Sequence, residues 1–291
     1  MIDLERKDIN MKSVRYRPRI IIAAFVILLT STALWAQESP DGHTVSINDF
    51  EMYYEIYGEG TPLVLLHGFM SSGVVWESYI EDLSEHYRLI IPDLRGHGAS
   101  TNPLNQFTHK QSALDIFALL DELQINQFKA MGISTGGMTL IHMATQQPDR
   151  VEAMVLIGAS IYFPEQGRAA MRQFLPDSIS EDRWNVLRER HKHGDNQIYT
   201  LLTQFHNFKD SYDDMNFTPP YLSIIKARTL IVHGDRDHLF PVSIPVEMYR
   251  YIPKSYLWII PNGGHVPIAG ENRKPFIHKA LDFLNEEWEN D

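Results

Sequence analysis

The stretch FKAMGISTGGM, residues 128–138, leaves few ways to fold. The apolar run from Phe128 to Ile133 has the length of a buried strand, and Met138 to Gln147 reads as a helix stopped by Pro148. Ser134 stands between them. Gly132 and Gly136 lie two residues to either side, with a third glycine at Gly137. A strand that turns directly into a helix forces its apex residue into a strained backbone, and side chains two positions away collide there. Glycine at both positions removes the collision. The Ser134 hydroxyl is then pushed out of the sheet at the positive end of the following helix. The same letters also fit a plain Gly/Ser turn opening an ordinary helix, so the flanking chain has to decide.

The flanking chain alternates strand and helix. His43 to Tyr57 reads as a hairpin turning at Asn48-Asp49 and placed at a sheet edge. Pro62–His67 is a continuous apolar run suited to a strand buried on both faces, Arg88–Asp93 is the next buried strand, and further strands follow at Phe128–Ser134, Val151–Ala159, Arg228–Gly234 and Tyr256–Pro261. Helices are expected at about Val74–His86, Thr108–Gln124, Met138–Gln147 and Pro275–Trp288. Eight strands in this order predict an α/β fold with a mainly parallel sheet flanked by helices. Residues 161–226 break the alternation: they hold helical stretches such as Glu181–Lys192 and Asn196–Phe208, many aromatics and no convincing strand. A structureless loop of that length is improbable, so this segment is expected to be a helical cap inserted over the carboxyl ends of the strands. Most of its aromatics are expected to pack the cap itself.

Residues 1–36 do not read as part of that fold. Lys12, Arg15, Arg17 and Arg19 precede the uncharged run Ile20–Leu29, and small residues follow. This is the order of a secretory signal, with cleavage after Ala33 or Ala36. The alternative is an uncleaved anchor using residues 20–37. Either way residues 37–160 and 227–291 are expected to form the core, exported to a periplasmic or extracellular space. A start at Met11 instead of Met1 fits equally well. None of the 291 residues is cysteine, which excludes disulfides, zinc–thiolate centres and a cysteine nucleophile. A net charge of −11 argues against nucleic acid and anionic lipid surfaces as partners.

A serine needs a base at hydrogen-bond distance, oriented in turn by a carboxylate. Candidates stand where loops follow strands. Asp237 lies in His233-Gly234-Asp235-Arg236-Asp237, and His265 in Asn262-Gly263-Gly264-His265. With His67-Gly68-Phe69, Asp93-Leu94-Arg95-Gly96-His97-Gly98 and the Gly132–Gly137 elbow, the chain from about His43 to Asn290 resembles the α/β-hydrolase superfamily, in the branch with one helical cap. The resemblance implies Ser134 as nucleophile, His265 as base and Asp237 as its partner. It also implies the backbone N–H groups of Phe69 and Thr135 as an oxyanion hole. Asp235 is the rival carboxylate and is expected to brace its loop.

Among the other histidines, His67 and His97 are expected to hold glycine turns, and His142 to pack on the elbow helix. His191 and His193 are expected on a solvated cap face instead of a metal site, and His238 as loop scaffolding. No cofactor or metal is called for. Aspartate-elbow chemistries, those of members resembling haloalkane dehalogenases and epoxide hydrolases, are excluded by the serine. Phe69, Met70, Trp76 and the cap suggest a small-molecule acyl substrate with an apolar group, most simply a carboxylic ester or lactone. The same three residues also serve amide or N-terminal peptide hydrolysis, carbon–carbon bond hydrolysis, cofactor-free perhydrolysis or acyl transfer. A receptor would keep the fold without the chemistry.

Overall fold

The structure, a computed structural model, describes residues 42–290. The signal or anchor expected of residues 1–36 therefore lies outside the described residues. Among the described residues no helix is long and apolar enough to cross a membrane.

Eight strands form one sheet in the order β1-β2-β4-β3-β5-β6-β7-β8. β1 (Gly42–Ile47) and β2 (Phe50–Tyr57) are the edge hairpin, and Asn48 in its turn adopts φ 51°. β2 runs antiparallel to β4 (Arg88–Pro92). Every later pairing is parallel: β3 (Pro62–Leu66) with β4 and β5 (Phe128–Ile133), then β6 (Val151–Ile157), β7 (Arg228–Gly234) and β8 (Ser255–Ile260) in succession. Alternation along β3 shows why these strands are largely apolar. Val64 and Leu66 face one layer of core, Leu63 and Leu65 the other.

Helices cover both faces. α2 (His109–Glu122), α3 (Thr135–Gln146) and α8 (Ser243–Tyr251) pack on the Val64 side. α1 (Glu77–Ser84) and α9 (Arg273–Leu284) pack on the Leu63 side. α2 begins where its sequence says it should, because the Thr108 hydroxyl accepts the Gln111 N–H at 3.0 Å. The turn after β4 is tied to both neighbours. Arg95 forms a two-pronged pair with Asp115 of α2, both bonds 2.8 Å, and reaches Asp49 of the hairpin turn at 2.7 Å.

Residues 161–226 carry α4 (Glu165–Gln173), α5 (Glu181–Arg190), α6 (Asp195–Asn207) and the short α7 (Pro219–Leu222), with an isolated bridge between Tyr162 and Asn216. Arg168 organises this segment. Its buried guanidinium donates to the carbonyls of Phe163, Lys209 and Ser211 at 2.9, 2.5 and 2.8 Å and lies over the Tyr212 ring.

Asp214 fastens the far end of the segment to the core. It accepts the N–H groups of His109 and Lys110 at the start of α2, and the His109 ring Nδ1–H at 2.6 Å. The Asp214 carbonyl accepts from His142 Nε2 of α3. Burial pushes the Asp214 carboxyl up, but the His109 ring and the two backbone donors outweigh it and hold the group down at about 2.

Candidate active site

Ser134 stands between β5 and α3 with φ 50° and ψ −112°, a strained conformation for a residue with a side chain. Two anchors hold it there: its N–H donates to the Ile157 carbonyl at 2.7 Å, and its carbonyl accepts the Met138 N–H at 2.9 Å. The flanking glycines are required by contact. A Cβ at Gly132 would stand 2.5 Å from the Gly136 carbonyl carbon, and one at Gly136 would overlap the Leu66 carbonyl oxygen. α3 can therefore press onto β3 and β5 only without those side chains.

His265 and Asp237 reach Ser134 from the loops after β8 and β7. The Ser134 hydroxyl and His265 Nε2 are 2.9 Å apart, and His265 Nδ1 and Asp237 Oδ2 2.8 Å. The carboxylate fixes the imidazole tautomer: Nδ1–H donates to Asp237, leaving Nε2 to accept the serine proton. Asp237 itself is held by the N–H groups of Leu239 and Phe240, at 2.8 and 3.2 Å to Oδ1. Burial pushes this carboxyl up, but the His265 hydrogen bond and these two donors outweigh it, so the group lies below its usual range. Gly234 lets the two loops meet, because a Cβ there would overlap the carbonyl oxygens of Gly263 and Gly264.

Asp235 is not part of this chain of contacts. Its nearest ionic neighbour is Arg236 at 3.8 Å, and its Oδ1 is buried without a hydrogen-bond partner among the described residues. The Phe69 and Thr135 N–H groups have no protein acceptor among the described residues. Both flank the elbow. Thr135 opens α3, and Gly68 beside Phe69 sits so close that a Cβ there would lie 3.6 Å from Ser134 Cβ. One of these donors opens a helix and the other follows β3, and such N–H groups beside a hydroxyl are suited to accepting an anion.

The other histidines divide. His67 accepts the Leu94 N–H at Nε2 (2.9 Å) and donates from Nδ1 to the Gly68 carbonyl, and burial pushes its pKa down to about 3. His97 holds the Arg95 carbonyl. Both serve the glycine turns, as expected. His142 packs against Phe217 and also bonds to the insertion through Asp214. His233 donates to the Phe240 carbonyl at 2.9 Å, bracing the Asp237 loop. His238 is exposed, its ring 6.0 Å from that of His265.

Two expectations need correction. His191 is not on a solvated face. It is buried and accepts the Gly98 N–H at 2.9 Å, tying the end of α5 to the turn after β4, and burial pushes its pKa down to about 4. His193 alone is exposed, bonded to the Ala99 carbonyl. Trp76 does not line an open site either. It is fully buried with Tyr79 in the core layer on the Leu63 side of the sheet, the layer that a bulky residue at the head of α1 must fill.

Phe69 and Met70 do stand at the site, against residues of the insertion. The Phe69 ring meets Phe205 and Phe208 at 5.9 and 5.0 Å, and Met70 clusters with Leu187, Leu201 and Leu202. On the opposite side, α4 touches the Asp237 loop: Gln166 Nε2 donates to the Asp237 carbonyl at 3.0 Å. Sequence reading missed Gln166 and Asp214, which no local pattern marks. Gly158 was also missed, although a glycine just past an apolar strand is a readable signal.

Comparison with known proteins bears on the fold. A family model described as the alpha/beta hydrolase fold matches residues 61–216, more than half of the chain. A pimeloyl-[acyl-carrier protein] methyl ester esterase of Vibrio vulnificus is 26% identical over 255 residues, covering 80% of this chain and 98% of its own. A 2-hydroxy-6-oxononadienedioate/2-hydroxy-6-oxononatrienedioate hydrolase of Pseudomonas putida is 26% identical over 271 residues, covering 81% and 92%. The crystal structure of an esterase from Rhodococcus superposes with a TM-score of 0.67 at 25% identity, covering 85% of this chain and 98% of that one. The family model, the eight-stranded sheet and the strand–serine–helix elbow lead to one assignment: the chain belongs to the α/β hydrolase fold family.

Proposed function

We propose that this chain is a serine hydrolase that cleaves a carboxylic ester or lactone bearing an apolar group, through an acyl-enzyme. The observation that carries the reading is the unbroken contact from Ser134 through His265 to Asp237. In the first half-reaction His265 Nε2 takes the Ser134 proton as the oxygen attacks the carbonyl carbon. The carbonyl oxygen becomes an oxyanion received by the Phe69 and Thr135 N–H groups, each worth about 3 kcal/mol in the transition state. His265 then protonates the departing alcohol. Water repeats the sequence on the acyl-enzyme, with His265 again as base, and releases the acid. Asp237 keeps the imidazole in its tautomer and stabilises its charged form.

The helices of residues 161–226 act as the cap. They touch the Phe69 side of the site through Phe205 and Phe208 and the Asp237 side through Gln166. Support for an apolar substrate comes from Phe69, Met70 and Phe240, whose ring lies 5.4 Å from that of His265. The esterases among the relatives support the ester class.

The test is a fluorophosphonate probe followed by a panel of p-nitrophenyl esters and lactones. The expected result is labelling and hydrolysis, both lost in Ser134→Ala. Folded protein that neither labels nor hydrolyses any of the panel would return the chain to the receptor reading.

A further inference from the structure

Phe69, whose N–H the hydrolase reading assigns to the oxyanion, lies in the loop of residues 67–72, between β3 and a 3₁₀ turn at Gly73–Trp76. The loop carries a strained residue: Met70, directly after Phe69, has φ 57°. Such a backbone persists only where its surroundings impose it. Within the loop the Ser71 N–H donates to the Gly68 carbonyl at 3.1 Å. Both ends are tied to the turn after β4. At the first, His67 accepts the Leu94 N–H at 2.9 Å. At the second, the Gly73 N–H donates to Asp93 Oδ1 at 2.7 Å.

Asp93 is buried, and its other oxygen, Oδ2, accepts the Ala99 N–H at 2.8 Å. Gly98 packs so closely that a Cβ on it would overlap this oxygen. The turn side of the bridge is anchored. The Asp93 N–H donates to the Tyr53 carbonyl of β2, and the Ser100 hydroxyl donates to the Asp93 carbonyl at 2.7 Å. From the insertion, the Lys192 N–H and Gln197 Nε2 donate to the Gly98 carbonyl, and His191 accepts the Gly98 N–H. One carboxylate thus joins a turn held by the sheet and by the insertion to the loop that carries Phe69. Burial pushes that carboxyl up to about 6, so at neutral pH its charge works against folding. What the carboxylate supplies is geometry, two acceptors at a fixed spacing.

We propose that Asp93 is a positioning residue for cleavage at Ser134: through Gly73 it fixes the loop that presents the Phe69 N–H to the oxyanion. This rests on the hydrolase reading above. The effect falls on the transition state, where the carbonyl oxygen carries negative charge, and leaves the binding of uncharged substrate almost untouched. Asparagine cannot replace the residue. Both carboxylate oxygens accept a main-chain N–H, whereas an amide has one acceptor oxygen, so either Gly73 or Ala99 would face an NH₂ group.

Steady-state kinetics with p-nitrophenyl butyrate, and inhibition by a trifluoromethyl ketone whose adduct with Ser134 carries the oxyanion, test this on the full chain. Two variants cut the bridge from opposite sides. Asp93→Asn removes an acceptor. Gly73→Pro removes the donor at the first position of a helical turn, a place proline favours. It follows Ser72, whose φ −151° and ψ −178° suit the residue before a proline. A Cβ at Gly73 comes closest to the Ile91 side chain, at 3.0 Å. Both variants should lower kcat about a hundredfold, keep KM within about threefold and weaken the ketone in proportion to kcat. Asp214→Ala is the comparison: a residue that only holds the fold should lower the melting temperature and keep the parent's affinity for the ketone. Because the two cuts fall on different elements, a fold lost in one variant leaves the other to decide. The proposal is overturned if a folded variant keeps kcat within about threefold of the parent, or if kcat falls while the ketone binds as tightly as before. An inactive parent would overturn the hydrolase reading and this one with it, whereas an active parent with unaffected variants overturns only the role of Asp93.

Discussion

Gly158 and His265 meet backbone to backbone: Gly158 has φ 57°, and a Cβ on it would overlap the His265 carbonyl oxygen. The loop that presents the imidazole rests on the residue that follows β6, and only glycine leaves room for it. Gly158→Ala should therefore move His265. The left-handed backbone alone costs about 1–2 kcal/mol with a Cβ present. A displacement of about 1 Å at the base costs on the order of a hundredfold in rate. We expect a lower melting temperature and a fall of that size in kcat/KM for p-nitrophenyl butyrate. Wild-type kcat/KM in a folded Gly158→Ala protein would mean that this contact does not position the base.

Two aspartates share one loop and should behave differently. Asp237→Asn puts an amide against His265 Nδ1 and favours the tautomer that cannot take the serine proton. The expected loss in kcat is about ten-thousandfold. Asp235→Asn touches neither the ring nor the serine and should keep kcat within about tenfold of the parent. Steady-state kinetics on the two variants decides between them, and the reverse order would reassign the carboxylate.

Asp214 should matter for stability more than for chemistry. Removing a buried carboxylate that pairs with an imidazole and two helix N–H groups costs about 3–5 kcal/mol. Asp214→Ala should lower the free energy of urea unfolding by that amount. A change under about 1 kcal/mol would show that the insertion is held elsewhere.

Acid should unfold this protein well above the pH at which its carboxylates are neutralised. Burial depresses His67 to about 3 and His142 and His191 to about 4, holds His97 well below its usual range and lowers His233. An unfolded histidine titrates near 6.5, so between about pH 6 and 4 the unfolded chain binds at least four protons that the folded chain does not. Stability from these rings is complete above pH 6.5 and is lost as pH falls through that window. Asp93 acts the other way. Burial pushes it up to about 6, so in the same window the folded state holds one proton more than the unfolded one. The net is at least three protons, a fall of about 4 kcal/mol per pH unit. Urea titrations at pH 7, 6 and 5 measure the slope, and a flat profile would contradict these assignments. Below pH 4 the depressed Asp214 steepens the loss.

How much of this could be read from the letters depended on how local each cause was. The elbow was legible because Gly132, Ser134 and Gly136 enforce one turn among themselves and their immediate neighbours. The strands β3 to β7 were legible because strands buried on both faces are largely apolar, and the half-buried edge strand β8 is mostly apolar too. The meeting of Asp237 and His265 followed from the order of loops after strands, aided by resemblance. α8 was not read, since SIPVEMYRY is short and carries a proline near its start. α4 was missed because Gly167 stands in its first turn and most of its residues are polar. His191 misled because a histidine among charged residues looks solvated. Its burial comes from Gly98, more than ninety residues earlier, whose N–H it accepts. Trp76 misled because closeness in sequence to Phe69 says nothing about which side of the sheet a residue fills.

Ser134, Asp237 and His265 follow β5, β7 and β8, and the pairing that aligns Gly234 with Ile260 sets where the last two loops begin. A slip of one residue between those strands would carry one loop about 3.3 Å past the other. That is more than a whole hydrogen-bond length, and it would turn every side chain of the strand to the wrong face. The main-chain ladder thus works as a ruler for the chemistry above it. A substitution deep in the sheet, remote from any substrate, can silence the enzyme by loosening that ruler while every reactive group is still present.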